Sequence, residues 1–156
     1  MTPKASAGTA LNPIELRLGG GLLALNRLVT TFLSKRMPVA GFTMGRSADG
    51  GAWRATVLLD CPPETARRYA ALLSGLEDVE EIEPASETVE VALLKTGGEG
   101  WRETASASGI EAHEEGGTVV GSGEPEKVEA WLGSIGDEAR DIVRLGPVAR
   151  PGDGGV

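Results

Sequence analysis

The sequence predicts an α+β protein made of two tandem β-α-β-β-α-β units. Three observations predict it. Apolar periodicity alternates between two residues and three-to-four residues, in the same order twice. The two middle strands of each half are separated by a glycine turn too short for a crossover helix. Proline or glycine punctuates nearly every boundary between periodic segments. The 156 residues suffice for two small domains, and a composition 40% hydrophobic but only 4% aromatic predicts aliphatic cores.

In the first half, Ile14 to Leu18 alternates apolar and charged residues, as a half-buried strand does. A helix follows the glycines, with Leu22, Leu25, Val29 and Phe32 expected on its inner face, and Pro38 bars its continuation. "VAGFTMG" and "WRATVLLD" read as two strands joined by a turn centred on Asp49-Gly50-Gly51. Pro62-Pro63-Glu64 opens a second helix, with Ala66, Tyr69, Leu73 and Leu76 inward and Arg67 and Arg68 outward. "VEEIEP" closes the unit. This order within about seventy residues is the ferredoxin-like split motif.

The second half repeats the order without residue-level similarity. "TVEVALLKT" is a strand, "GEGWRETASAS" a weak, short helix, and "IEAHEE" with "TVVGSG" a hairpin around a glycine pair. "EPEKVEAWLGSIG" is a strong helix, with Pro125 near its first turn and Val128, Trp131, Leu132 and Ile135 on one face. "ARDIVRLGPVA" is the last strand. The expected organisation is a flexible terminus at 1–12, a first domain at 13–85, a second at 86–150 and a flexible tail at 151–156.

The net charge of -8 argues against nucleic acid or an anionic membrane as main partner, because both require a basic footprint. No apolar run is long enough to span a bilayer, and "MTPKASAGTALNP" lacks the apolar core of a signal peptide. A single cysteine, Cys61, forms no internal disulfide. A cytoplasmic protein is expected.

"RLGGGLLALNRL" contains Gly19-x-Gly21-x-x-Ala24, which satisfies the dinucleotide fingerprint. The context does not support a cofactor. The second strand enters a tight hairpin instead of a crossover, and no acidic residue stands about twenty positions on to hold a ribose. No Lys-Ser or Lys-Thr follows, which excludes a Walker loop. A strand-to-helix corner is the default reading. The amides at a helix start also bind anions, including the carboxylate of a free amino acid, and two copies of such a corner could enclose a small ligand.

From Leu18 to Asp60 the chain resembles the N-terminal ACT domain of the acetolactate synthase small regulatory subunits. That family reads Asn-x-x-Gly-x-Leu-x-Arg, then a helix ending in Phe, an Asn-Ile strand running to Leu-Thr-Val, and Ser-Arg-x-Thr after a turn. Leu25 and Arg27 match the first block, Phe32 the helix, Phe42-Thr43-Met44 the strand, and Arg54 and Thr56 the later pair. "LEDVEEIE" is similar to the family's leucine–aspartate–valine ending. In the second half, Gly123, Pro125, Lys127, Val128, Ala130 and Trp131 resemble its Thr-Gly-x-Pro-x-Lys-Ile-x-Ala-Phe block. Arg144, Gly146, Val148 and Ala149 resemble its closing segment.

The resemblance implies a non-catalytic subunit without a cofactor. Such a subunit dimerises through the ACT domain and modulates a thiamine-diphosphate-dependent large catalytic subunit in branched-chain amino-acid biosynthesis. A branched-chain amino acid is the implied effector, at Gly20, Gly21, Leu22, Leu23 and Pro38. The chain departs from the family at this corner: Gly20, Leu23 and Pro38 stand where the family has Asn, Gly and Asn. The helix N-terminus remains, where Gly20, Gly21 and Leu22 still offer backbone amides. The alternative is a stand-alone ACT-type amino-acid sensor or structural dimerisation module.

No other group of residues carries chemistry. Cys61 and His113 fall in different predicted domains, so a nucleophile–base pair is not expected. One His, one Cys and scattered acids give no metal-ligand spacing. Trp53, Trp101 and Trp131 are expected as core or interface anchors. Arg144 is expected to dock a partner or to pair with Asp141 or Glu138 on the surface.

Overall fold

The computed structural model describes residues 11–48 and 51–150. Most of the expected loose ends, and the Asp49-Gly50 apex of the first hairpin, lie outside the described residues. The chain divides into two compact units, the first ending at Ser86 and the second spanning Glu87–Arg150.

The first unit runs β1 (Leu11–Leu18), α1 (Gly21–Ser34), β2 (Val39–Arg46), β3 (Trp53–Asp60), α2 (Pro63–Ser74) and β4 (Val79–Pro84). Leu11 and Asn12, expected in a flexible terminus, instead begin β1. Asn12 is anchored there by its side-chain amide, which donates to the Cys61 carbonyl at 2.6 Å. The sheet order is β2-β3-β1-β4 with every neighbour antiparallel. Two-residue periodicity sends Ile14, Leu16 and Leu18 of β1, and Ala55, Val57 and Leu59 of β3, to one face. There they form a core with Ala24, Leu28 and Phe32 of α1 and Ala66 and Leu73 of α2. The Phe32 ring meets Phe42 of β2 edge-on at 5.6 Å.

The inner stripe of α1 differs from the one expected. Ala24, Leu28 and Phe32 are buried, whereas Leu22 is 73% exposed and Val29 also faces outward. Gly20 and Gly21, both at positive φ (83° and 58°), set the angle at which the chain turns into the helix. The small Ala24 side chain then lets this stripe approach the sheet. Both stripes are spaced for a helix, so periodicity alone does not choose between them.

The second unit runs β5 (Thr88–Thr96), α3 (Gly100–Ser108), β6 (Glu111–Glu115), β7 (Thr118–Gly123), α4 (Pro125–Ile135) and β8 (Ala139–Ala149). Its sheet order, β6-β7-β5-β8, repeats the first, again with all neighbours antiparallel. The hairpin turn is Gly116-Gly117, both at positive φ, as a two-residue turn matched to strand twist requires. The weak helix α3 holds because Trp101 and Ala105 are buried against α4, where the Trp131 indole N–H donates to the Trp101 carbonyl at 3.2 Å. The chain is therefore two tandem ferredoxin-like units, each with its own two helices on one sheet face.

Candidate functional site

The corner between β1 and α1 is built by backbone before side chains. Gly19 N–H donates to the Asp78 carbonyl at 2.9 Å, tying the glycine run to the turn before β4. Gly20 is the N-cap residue and offers no side-chain cap; Gly21, Leu22 and Leu23 form the first turn. Their amides have no carbonyl four residues back within the helix, so this end of α1 carries a positive field. Leu22 and Leu23 are exposed and make its rim apolar.

Four further side chains surround the corner. Asp78, only 16% exposed, accepts from the Arg27 guanidinium at 2.8 Å, and Glu77 lies 3.8 Å from the same nitrogen. A Cβ on Gly20 would stand 3.0 Å from the other Asp78 oxygen, a tight approach that favours glycine there in addition to the positive φ. The Trp53 indole nitrogen lies 3.6 Å from where a Cβ on Gly21 would stand. The corner thus combines free amides, one carboxylate fixed by an arginine, and an apolar rim. Chemically, the amides offer donors to an anion and the carboxylate an acceptor to a cation. Sequence reasoning did not assign Asp78 to the site, although "LEDVEEIE" had already aligned it with the family's aspartate.

Pro38 does not join this group within one chain. It precedes β2 at the end of the sheet level with Asn12 and Leu59, whereas the glycine corner lies beside Leu18 and Trp53. Six residue steps of strand separate the two levels, roughly 20 Å at 3.3 Å per residue. The five expected residues are therefore four at one corner and one at the far end.

The remaining expectations resolve individually. Cys61 is buried in the first core; burial, then the neighbouring Asp60 carboxylate, pushes its thiol pKa up and keeps it protonated. His113 is exposed on β6, 3.6 Å from Glu115, in the other unit. Trp101 and Trp131 are core residues and Trp53 is partly buried against the first core. Arg144 does not pair with Asp141 or Glu138. Its guanidinium instead holds Glu90, itself nearly buried, through Nε at 2.7 Å, and also binds Glu129 of α4. Burial works against the charged guanidinium, but the hydrogen bonds it donates to Glu129 and Glu90, with their negative charges, outweigh it and raise its pKa. Strand β8 twists through Asp141 and Gly146, both at positive φ, and this aims Arg144 inward.

The sheet face of the first unit opposite its own helices is charged. Glu15, Arg17, Ser47, Arg54, Glu81 and Glu83 line a polar depression of about 230 Å³, and Glu15 pairs with Arg54 across the strands. Among the described residues no three His, Cys, Asp or Glu side chains are grouped to hold a metal ion. No described helix is long and apolar enough to cross a membrane.

The fold defines a class: a tandem ferredoxin-like protein. Among solved structures, the chain superposes on the acetolactate synthase small subunit from Thermotoga maritima with a TM-score of 0.74 and 16% identity, over 89% of this chain and 95% of that one. An unknown protein from Galdieria sulphuraria aligns over 86% of this chain and 95% of that one, at 14% identity and a TM-score of 0.40. No protein-family model matches the sequence, and no curated protein matches it.

Proposed function

We propose that this chain is a non-catalytic regulatory subunit of the acetolactate synthase type. In this reading it binds and modulates a thiamine-diphosphate-dependent catalytic subunit that condenses 2-ketoacids towards valine, leucine and isoleucine. The observation that carries the reading is the likeness of both units, in order, to an acetolactate synthase small subunit. The Leu25–Arg27 block in the first unit and the Pro125–Trp131 block in the second add to it. The fold is shared by many activities, so those paired blocks are what make the reading particular.

The same reading makes the first unit a homodimer. Helix α1 exposes Leu22, Val29 and Leu33 along one stripe beside the edge strand β2, an apolar surface that a second copy covers. A two-fold partner would also bring its own Pro38 towards the glycine corner, completing the five-residue set. A branched-chain amino acid fits there by chemistry: its ammonium at Asp78, its carboxylate at the Gly21 and Leu22 amides, its aliphatic tail on Leu22 and Leu23. The effector would act by binding one arrangement of the dimer better than another.

The test pairs two measurements. Calorimetric titration with valine, leucine and isoleucine reads the corner, with NADPH as control. Affinity capture, followed by assay of ketoacid condensation, reads the partner. Heat from a branched-chain amino acid and capture of a thiamine-diphosphate enzyme support the proposal. Heat without a captured enzyme favours the stand-alone sensor. Heat from NADPH alone overturns both.

A further inference from the structure

The first unit also holds an apolar pocket at the end of its sheet away from the glycine corner. Its volume is about 200 Å³, and it lies where α2 meets the start of β1 and the end of β4. The small side chains of Ala66 and Ala70, about one turn apart on α2, leave the space, and Pro13, Pro63 and Pro84 line it. The backbone fixes these prolines. Pro63 opens α2, Pro84 closes β4 opposite Ile14, and the Pro13 carbonyl accepts from the Ala85 N–H at 2.9 Å. Each proline ring has a fixed φ, so the pocket is formed in advance and binding carries little ordering cost.

The charges around the pocket narrow what it can take. Arg67 is among its lining residues and is exposed. It makes no hydrogen bond or ion pair with any described residue, not even with Glu64 one turn earlier. No acidic side chain is among the lining residues, and the other polar one, Asn12, donates its amide to the Cys61 carbonyl. An aliphatic tail therefore finds a rigid apolar seat, and a carboxylate on that tail finds an unshared guanidinium. An ammonium group would lose water and gain no partner. This reverses the chemistry of the β1–α1 corner, where the Asp78 carboxylate is an acceptor.

Size narrows the class further. The volume equals that of about seven waters at ~30 Å³ each, which is room for an acid of about seven non-hydrogen atoms. We propose that this pocket binds a free, short, branched aliphatic monocarboxylate that carries no amino group. Its tail lies against Ala66, Ala70 and the prolines, and its carboxylate meets Arg67. The site is separate from the glycine corner and does not rest on the regulatory reading above.

The experiment is an amide-resolved NMR titration of the full chain with sodium 3-methylbutanoate at constant ionic strength. Saturable shifts are expected at Ile14, Ala66, Arg67 and Ala70. Shortening the acid to butanoate and then propanoate should weaken binding roughly fourfold per carbon, the factor that one buried methylene contributes. Valine is the same acid with an ammonium added, and it should bind here about tenfold more weakly. Arg67→Gln should weaken 3-methylbutanoate about tenfold. Ala70→Leu, which fills the space, should abolish binding while the rest of the spectrum is kept. If Ala70→Leu fails to fold, Arg67→Gln at the exposed rim still decides. Absence of saturable shifts at Ala66 and Ala70 overturns the proposal. So does binding indifferent to Arg67→Gln, and so does valine held at these residues as tightly as 3-methylbutanoate.

Discussion

Gly121 of β7 lies flat beneath the indole of Trp131, so close that a Cβ at position 121 would overlap the ring. Trp131 is fully buried and its N–H is already committed to the Trp101 carbonyl, so it has no free direction of retreat. Gly121→Ala is expected to destabilise the second unit by about 3 kcal/mol, the upper end of overpacking costs. Gly133→Ala, where nothing lies within 4 Å, is expected to be neutral or slightly stabilising. Urea unfolding of both variants checks this; equal midpoints would mean that the ring is not held.

Removing the Arg144 side chain strands a carboxylate. Glu90 is only 9% exposed, and Arg144 supplies both of its short contacts. A fully buried pair broken on one side costs about 3–5 kcal/mol, and partial exposure of Arg144 reduces that to about 2 kcal/mol. Arg144→Met should therefore destabilise, and Arg144→Met/Glu90→Gln should recover most of the loss. A double-mutant cycle gives the coupling; additivity of the two changes would show that the pair contributes nothing.

Cys61 should report on pH. Its folded pKa lies above the usual 9.0, so the thiol stays neutral in the fold while the unfolded chain ionises. The stability tied to this difference is complete below the unfolded pKa and is lost as pH rises through the folded value. Wild type is expected to lose stability above about pH 9 faster than Cys61→Ala does. Alkylation at pH 8 should be slow in buffer and fast in urea; rapid native-state labelling would refute the burial.

The exposed stripe of α1 allows a clean separation of association from folding. Leu22 and Leu33 are 73% and 75% exposed, so Leu22→Glu/Leu33→Glu should leave the fold of the first unit intact while weakening self-association and removing the concentration dependence of its thermal midpoint. Calorimetry and sedimentation of the same sample decide it.

Gly20→Ala combines two costs, a φ of 83° and the Asp78 oxygen 3.0 Å from the new Cβ. A loss of about 1–2 kcal/mol is expected. Adding Asp78→Ala should relieve the steric part only, and a full rescue would mean that the backbone at Gly20 is unstrained.

Much of this architecture was legible in the residues. Alternation in "WRATVLLD" and "TVEVALLKT", the Gly116-Gly117 turn and the prolines before α2 and α4 are local signals, and each acts within a few residues of itself. They determined which segments are strands, which are helices and that the order repeats. Two stripes on α1 share the helical period, however, and only packing on the sheet chose Ala24, Leu28 and Phe32. The spacing of Arg144 in the chain offers Asp141 and Glu138 as partners, but the irregular turn of β8 carries it to Glu90, fifty-four residues away.

The candidate site divides in the same way. That glycines begin α1, and that Leu22 and Leu23 follow, is written in the sequence. That Asp78 and Arg27 meet beside Gly20, while Pro38 stands at the other end of the sheet, depends on which strands pair and in what register. Strand pairing joins residues distant in sequence through backbone hydrogen bonds that any side chain permits, so the tertiary structure alone decided it.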